Sequence, residues 1–183
     1  KIKKKENEWV SRGGIKLSDA IKKFNVKVNG KICMDIGCST GGFSQVLLKN
    51  SAKKIYAIDV GYGQFDWKLR NSEKINLMEK TNARYLDSKN IPEKIDLIVC
   101  DVSFISLKKV LSPCKVFLAK QFEIICLIKP QFELDKAYVG KGGIIRDELL
   151  HAKICREIKR WFEFEFQPKI IDIGESIIKG QKG

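Results

Sequence analysis

Asp35-Ile36-Gly37-Cys38-Ser39-Thr40-Gly41-Gly42-Phe43 decides the fold of this 183-residue chain. The stretch follows one short apolar run, Ile32-Cys33-Met34, and precedes another, Val46-Leu47-Leu48. That order reads as strand, glycine-rich turn, helix. Glycine lets the backbone approach a ligand with no Cβ in the way, and a helix N-terminus offers unpaired N–H groups. At the carboxyl edge of a parallel strand, such a turn is where α/β proteins bind nucleotide-like cofactors. Its spacing, D-x-G-x-x-x-G-G, differs from both the dinucleotide fingerprint G-x-G-x-x-G and the phosphate loop G-x-x-x-x-G-K-[ST]. The bland reading is a tight strand–helix turn that holds nothing. The next apolar run weighs against it. Lys54-Ile55-Tyr56-Ala57-Ile58 ends in Asp59, where a carboxylate can accept hydrogen bonds from both hydroxyls of a ribose.

Working outward, the chain alternates strand-like and helix-like segments. Leu17, Ala20, Ile21 and Phe24 recur at helical spacing, so residues 15–24 are expected to form an amphipathic helix after a Ser11-Arg12-Gly13-Gly14 loop. Strands are expected at 32–36, up to Asp59, at 75–78, at 95–101, at 123–128 and, as a sixth, at 169–173. Helices are expected at 43–49, 65–70, 107–118 and 147–162, with a glycine-rich loop between Pro130 and Gly143. Near-continuous apolar strands alternating with helices mean a parallel sheet covered on both faces, and right-handed crossovers make it a doubly wound α/β fold.

Composition sets the class of partner. Lys and Arg number 35 against 22 Asp and Glu, a formal charge of +13 that favours a polyanion over a plain solvated surface. The hydrophobic fraction of 44% is ordinary for one globular domain. Six cysteines, at 33, 38, 100, 114, 126 and 155, form no C-x-x-C pair, and with a single histidine no metal site is expected. The cysteines in apolar runs behave as small hydrophobes, which fits reduced thiols and a cytoplasmic location. No apolar run reaches the length of a membrane span, and no signal peptide is visible.

The glycine turn resembles motif I of the methyltransferases that use S-adenosylmethionine (SAM). Charged residues at strand ends then become the candidate chemistry. Asp101 ends the 95–101 run, Lys129 follows the 123–128 run, and Lys16 opens the first helix. A ribose 2′-hydroxyl is a poor nucleophile, so its methylation needs a group that takes or holds the proton, and in-line alignment with the sulfonium methyl. Lys129 is the candidate for that group. Asp101 would position its ammonium and the cofactor, and Lys16 would add a positive charge that favours the developing alkoxide. Taken singly, a strand-end lysine is a solvated surface group and an Asp before a loop is a helix cap. Only the three together, at one end of the sheet, carry the chemistry.

The chain resembles the methyltransferase domain of the TlyA family of ribosomal RNA 2′-O-methyltransferases, relatives of the FtsJ/RrmJ group, a family also labelled haemolysin A. The matching segments are Val10 to Leu17, the turn through Phe43, Asp59 to Gln64, Thr81 to Arg84, Asp101 to Ser106, Lys129 to Glu133 and Val139 to Gly143, with Arg146-Asp147 just beyond. The resemblance implies a Rossmann-like methyltransferase sheet, SAM as cofactor and cytidines of ribosomal RNA, or of ribosomal subunits, as substrate. It implies a Lys-Asp-Lys-Glu catalytic set whose first three members match Lys16, Asp101 and Lys129. Gly37, Gly41 and Asp59 are implied contacts of SAM, with Asn82 near the adenine. Asp35, Ser39, Thr40, Gly42, Phe43 and Asp101 complete the expected cofactor site. The family's Glu lies beyond a glycine pair on the last, antiparallel strand. The sequence stops at Gly183, so no residue is assigned to that Glu, and the domain is expected to lack that strand. Family members also carry an S4-type RNA-binding domain first. Residues 1–10 are therefore expected to be a linker or arm after such a domain, with 11–183 a C-terminally truncated FtsJ-like methyltransferase domain.

Arg12, Lys136 and Lys141 are expected to grip RNA phosphates, each contact weakening with salt. Trp9 and Trp67 are stacking candidates, with packing as the simpler role. His151, near the start of the last helix, is expected on a helix surface or in packing rather than in acid–base work. Two other function classes stay open: a SAM- and RNA-binding module that has lost catalysis, and a membrane-active haemolysin. The second needs a spanning or strongly amphipathic exposed segment or a secretion signal, and the sequence shows neither.

Overall fold

The computed structural model describes residues 8–135, 138–140, 142–145 and 147–178. Five strands form one parallel sheet: β1 (Ile32–Ile36), β2 (Lys54–Ile58), β3 (Ile75–Met78), β4 (Ile95–Cys100) and β5 (Leu118–Cys126). Their spatial order is β3-β2-β1-β4-β5. The helices are α1 (Arg12–Lys23), α2 (Gly42–Lys49), α3 (Trp67–Arg70), α4 (Leu107–Cys114), α5 (Pro130–Glu133) and α6 (Glu148–Phe166).

Period-two alternation divides each central strand between two cores. Cys33, Ile55, Ala57, Leu97 and Val99 face Leu17 and Ile21 of α1 and Phe43, Val46 and Leu47 of α2. Met34, Ile36, Tyr56, Ile58, Ile98 and Cys100 face Leu107, Val110, Leu111 and Cys114 of α4 and Phe166 of α6. Both faces are thus dry, which is why the strand sequences are apolar throughout. β1 lies at the centre with β2 and β4 on either side, so the strand order reverses between β1 and β4. The loops that leave them meet there: a Cβ on Gly37 would stand 3.0 Å from the carbonyl oxygen of Asp101. Such a switch point is where a doubly wound sheet opens a crevice at its carboxyl edge.

Several elements differ from the sequence expectation. Helix α1 starts at Arg12, so Gly13 and Gly14 belong to its first turn rather than to a loop. Gly14 is small because of crowding: a Cβ there would stand 2.6 Å from the Trp9 side chain. Helix α4 ends at Cys114 and gives way to one 3-10 turn, and β5 begins at Leu118, with a register shift against β4 between Ile95 and Leu97. Helix α6 runs on to Phe166, because that ring packs against Trp161, Phe162 and Phe122. Residues 130–133, expected as loop, form the single turn α5. Residues 169–173 are not a strand. Ile170 is 78% exposed, and no neighbouring strand pairs with this run to bond its backbone. No antiparallel strand is present among the described residues.

Gly41 caps α2 in the left-handed region, φ 91°, where a Cβ would also stand 2.7 Å from Leu69 and 2.9 Å from Phe65. Gly63 has φ 73° but open space around it. In urea unfolding, Gly41→Ala should cost about 2–4 kcal/mol and Gly63→Ala about 1 kcal/mol. Equal costs would mean that the turn is not packed as described.

Candidate active site

Four elements bring their ends to the crevice. Strand β4 delivers Asp101, β5 delivers Lys129, the first turns of α1 carry Arg12 and Lys16, and the β1–α2 turn supplies Gly37 to Phe43. Lys16 Nζ donates to Asp101 Oδ2 at 3.0 Å. Lys129 Nζ stands 2.6 Å from Asp101 Oδ1 and donates to Ser103 Oγ at 2.8 Å. Asp101 and Ser103 together fix where the ammonium stands. All three charged side chains keep only 16–22% of their exposure. Burial pushes the Asp101 carboxyl up, but Lys129 and then Lys16 outweigh it and hold the group below the usual carboxylate range.

These residues wall a cavity of about 600 Å³ together with Ser11, Gly13, Gly37, Cys38, Ser39, Thr40, Gly42, Phe43 and Ile178. That size falls within the range of small-molecule sites. Asp59 and Asn82, at the neighbouring strand ends, are not among the cavity's lining residues. Asp59 accepts from the backbone N–H of Ser39 at 2.8 Å and of Gly61 at 2.7 Å, which aims its carboxylate over the turn and leaves lone pairs on both oxygens. Asn82 follows β3 beside it, with its carbonyl oxygen held by Arg84. A cavity of this size walled by a glycine turn, with a carboxylate that keeps free lone pairs at the next strand end, has the room and the acceptors that SAM requires.

Not every expected residue lines the cavity. Gly41 turns toward Leu69 and Phe65. Asp35 is fully buried beneath the turn, where Oδ2 accepts from Ser44 Oγ at 2.7 Å and Oδ1 has no partner. Burial pushes its carboxyl up to about 7, against the opposing Ser44 hydrogen bonds and with help from the charges of Asp101 and Asp59. Arg12 is exposed at the cavity mouth. Lys136 and Lys141 lie outside the described residues. His151 places Nε2 2.9 Å from the carbonyl oxygen of Ile145, away from the crevice. Trp9 packs on Gly14 with Lys49 over its ring at 4.6 Å, while Trp67 is 69% exposed. Sequence reasoning missed Ser103 and Ile178. Ser103 lay inside a quoted segment, but a serine in a loop gives no signal until the lysine that meets it is known.

The strand order 3-2-1-4-5, the glycine turn and the strand-end carboxylates define a Rossmann-like methyltransferase. A family model described as FtsJ-like methyltransferase matches residues 9–176. The 16S/23S rRNA (cytidine-2′-O)-methyltransferase TlyA of Mycobacterium tuberculosis is 44% identical over 155 residues, covering 85% of this chain and 58% of that protein. Hemolysin A of Brachyspira hyodysenteriae is 44% identical over 179 residues, 96% of this chain and 73% of that protein. A solved structure from Lactococcus lactis, titled as a hemolysin, superposes with a TM-score of 0.83 at 42% identity, covering 87% of this chain and 76% of that one. The chain belongs to the FtsJ-like methyltransferase family, in its TlyA branch. It spans little more than half the length of the M. tuberculosis relative. Among the described residues no helix is long and apolar enough to cross a membrane.

A folded-state pKa of about 7 for Asp35 lies above the unfolded value of about 4, so the native state holds the extra proton between these limits. The stability tied to that proton is complete below about pH 4 and is lost as pH rises through about 7. Asp35→Asn, which keeps an acceptor for Ser44, should therefore raise the melting temperature at pH 8 by roughly 5 °C and change it little at pH 4. A gain of the same size at both pH values would refute the titration.

Proposed function

We propose that this chain methylates the 2′-hydroxyl of a ribose, on cytidine of ribosomal RNA, with SAM as the methyl donor. The observation that carries the reading is the sharing of Asp101 by Lys16 and Lys129 in the wall of the cavity that the glycine turn also lines. The names of the relatives from M. tuberculosis and Campylobacter jejuni point to the same substrate. The charge of +13 suits an RNA partner, free or within a ribosomal subunit. On this reading residues 11–183 are the methyltransferase domain, residues 1–10 an arm leading into it, and the working location is the cytoplasm.

Bound SAM supplies an electrophilic methyl group. The turn at Gly37–Phe43 receives the cofactor, Asp59 takes its ribose hydroxyls, and Asn82 lies toward its base. Lys129 first gives one ammonium proton to solvent; the lone pair this frees on Nζ then accepts the substrate hydroxyl's hydrogen bond or takes its proton, and taking it restores the ammonium. Ser103 and Asp101 orient that nitrogen. Two ammonium groups on one carboxylate leave an excess of positive charge, and Lys16 directs it at oxygen as negative charge develops there. Arg12 at the mouth, with Lys136 and Lys141, holds phosphates of the RNA.

Ribosomal RNA and ribosomal subunits incubated with this chain and methyl-labelled SAM should acquire label at a ribose 2′-oxygen. Lys129→Ala should lower the rate by about 10²–10⁴-fold while SAM still binds. A variant as fast as wild type would remove Lys129 from the chemistry. A wild-type chain that binds SAM and RNA but transfers no methyl would leave it a binding module.

A further inference from the structure

Lys129 enters the site from a support that cannot hold itself. It is the N-cap of α5, a single turn with no side-chain capping bond at its start. One turn of helix has little stability of its own. Its fastening comes from the other end. Glu133 Oε2 accepts from Ser106 Oγ at 2.6 Å, and Oε1 accepts from the Leu107 backbone N–H at 2.7 Å. Ser106 is the N-cap of α4 and Leu107 its first residue, so the carboxylate takes an otherwise unpaired donor at the positive end of that helix. Between the two ends, the Phe132 ring lies 5.1 Å from that of Phe104. Phe104 holds φ 65°, a left-handed conformation, and is 91% exposed.

Two segments are therefore buckled at both ends. Lys129 closes on Asp101 and Ser103, and Glu133 closes on Ser106 and Leu107. We propose that Glu133 is a positioning residue: by tying α5 to the start of α4, it sets where the Lys129 ammonium stands over Asp101. Glu133 does not line the cavity, so it acts through Lys129 and not on the substrate. Its importance for methyl transfer rests on the function proposed above.

The test uses the chain labelled with ¹³C-lysine, with the Lys129 Cε resonance assigned by Lys129→Arg. In Glu133→Ala the Lys129 resonance should shift or broaden while that of Lys16 stays in place. Methylation should fall at least about tenfold, with the dissociation constant for SAM unchanged within about twofold. Glu133→Gln should recover most of the rate, because its oxygen can accept from Leu107 and its amide can donate to Ser106 Oγ. An unmoved Lys129 resonance in Glu133→Ala overturns the proposal. If that variant does not fold, Glu133→Asp, one methylene too short to keep both bonds, is judged by the same two results. A shifted Lys129 resonance in a chain that methylates no RNA would uphold the role of Glu133 and sink the methyl-transfer reading instead.

Discussion

One carboxylate, that of Asp101, carries two ammonium groups, and the carboxyl edge of the sheet is arranged around it. Lys16 arrives from the first helix and Lys129 from the end of β5, so Asp101 is where the N-terminal helix, β4 and β5 are tied together. Breaking a buried ion pair costs about 3–5 kcal/mol, and less here because the side chains keep 16–22% of their exposure. The pairs are not what holds the fold: the two apolar cores on either side of the sheet do that. Their cost is borne by the sheet, and what they provide is a fixed place for an excess positive charge next to a cavity.

Asp35 is the penultimate residue of β1, Asp59 and Asp101 follow β2 and β4, and each is treated differently. Asp35 is sealed beneath the turn, where burial favours its protonated form. Asp59 is held by two backbone N–H groups and keeps free lone pairs on both oxygens. Asp101 is kept ionised by its lysines. Three carboxylates crowded at one edge in a single charge state would repel one another. Burial, amide donors and cations sort them instead: one sealed beneath the turn, one bonded to two amides, one paired with two lysines.

Much of this was legible in the sequence. The runs at 32–36 and 54–58 are strands because they are apolar on both faces, and the glycine turn between strand and helix fixed the site's position. Periodicity failed where tertiary contacts decide. Gly13-Gly14 looks like a loop, yet the pair is helical, and Trp9 lies where a side chain on Gly14 would go. The run at 169–173 has strand composition but no partner strand. The convergence of Lys16 on Asp101, 85 residues away, has no local signature, and family resemblance supplied it. Ser103 and Glu133 were invisible as site residues, since a loop serine and a short-helix glutamate acquire meaning only from what they touch.

If the crevice between β1 and β4 receives a nucleoside cofactor with Asp59 as its ribose acceptor, SAM binding depends on that carboxylate. Calorimetric titration of this chain with SAM and with S-adenosylhomocysteine, beside an Asp59→Ala variant, tests it most directly. The wild-type chain should bind both ligands saturably and one to one, and the variant should lose that binding. Equal binding by the two proteins, or none by a folded wild-type chain, would contradict it.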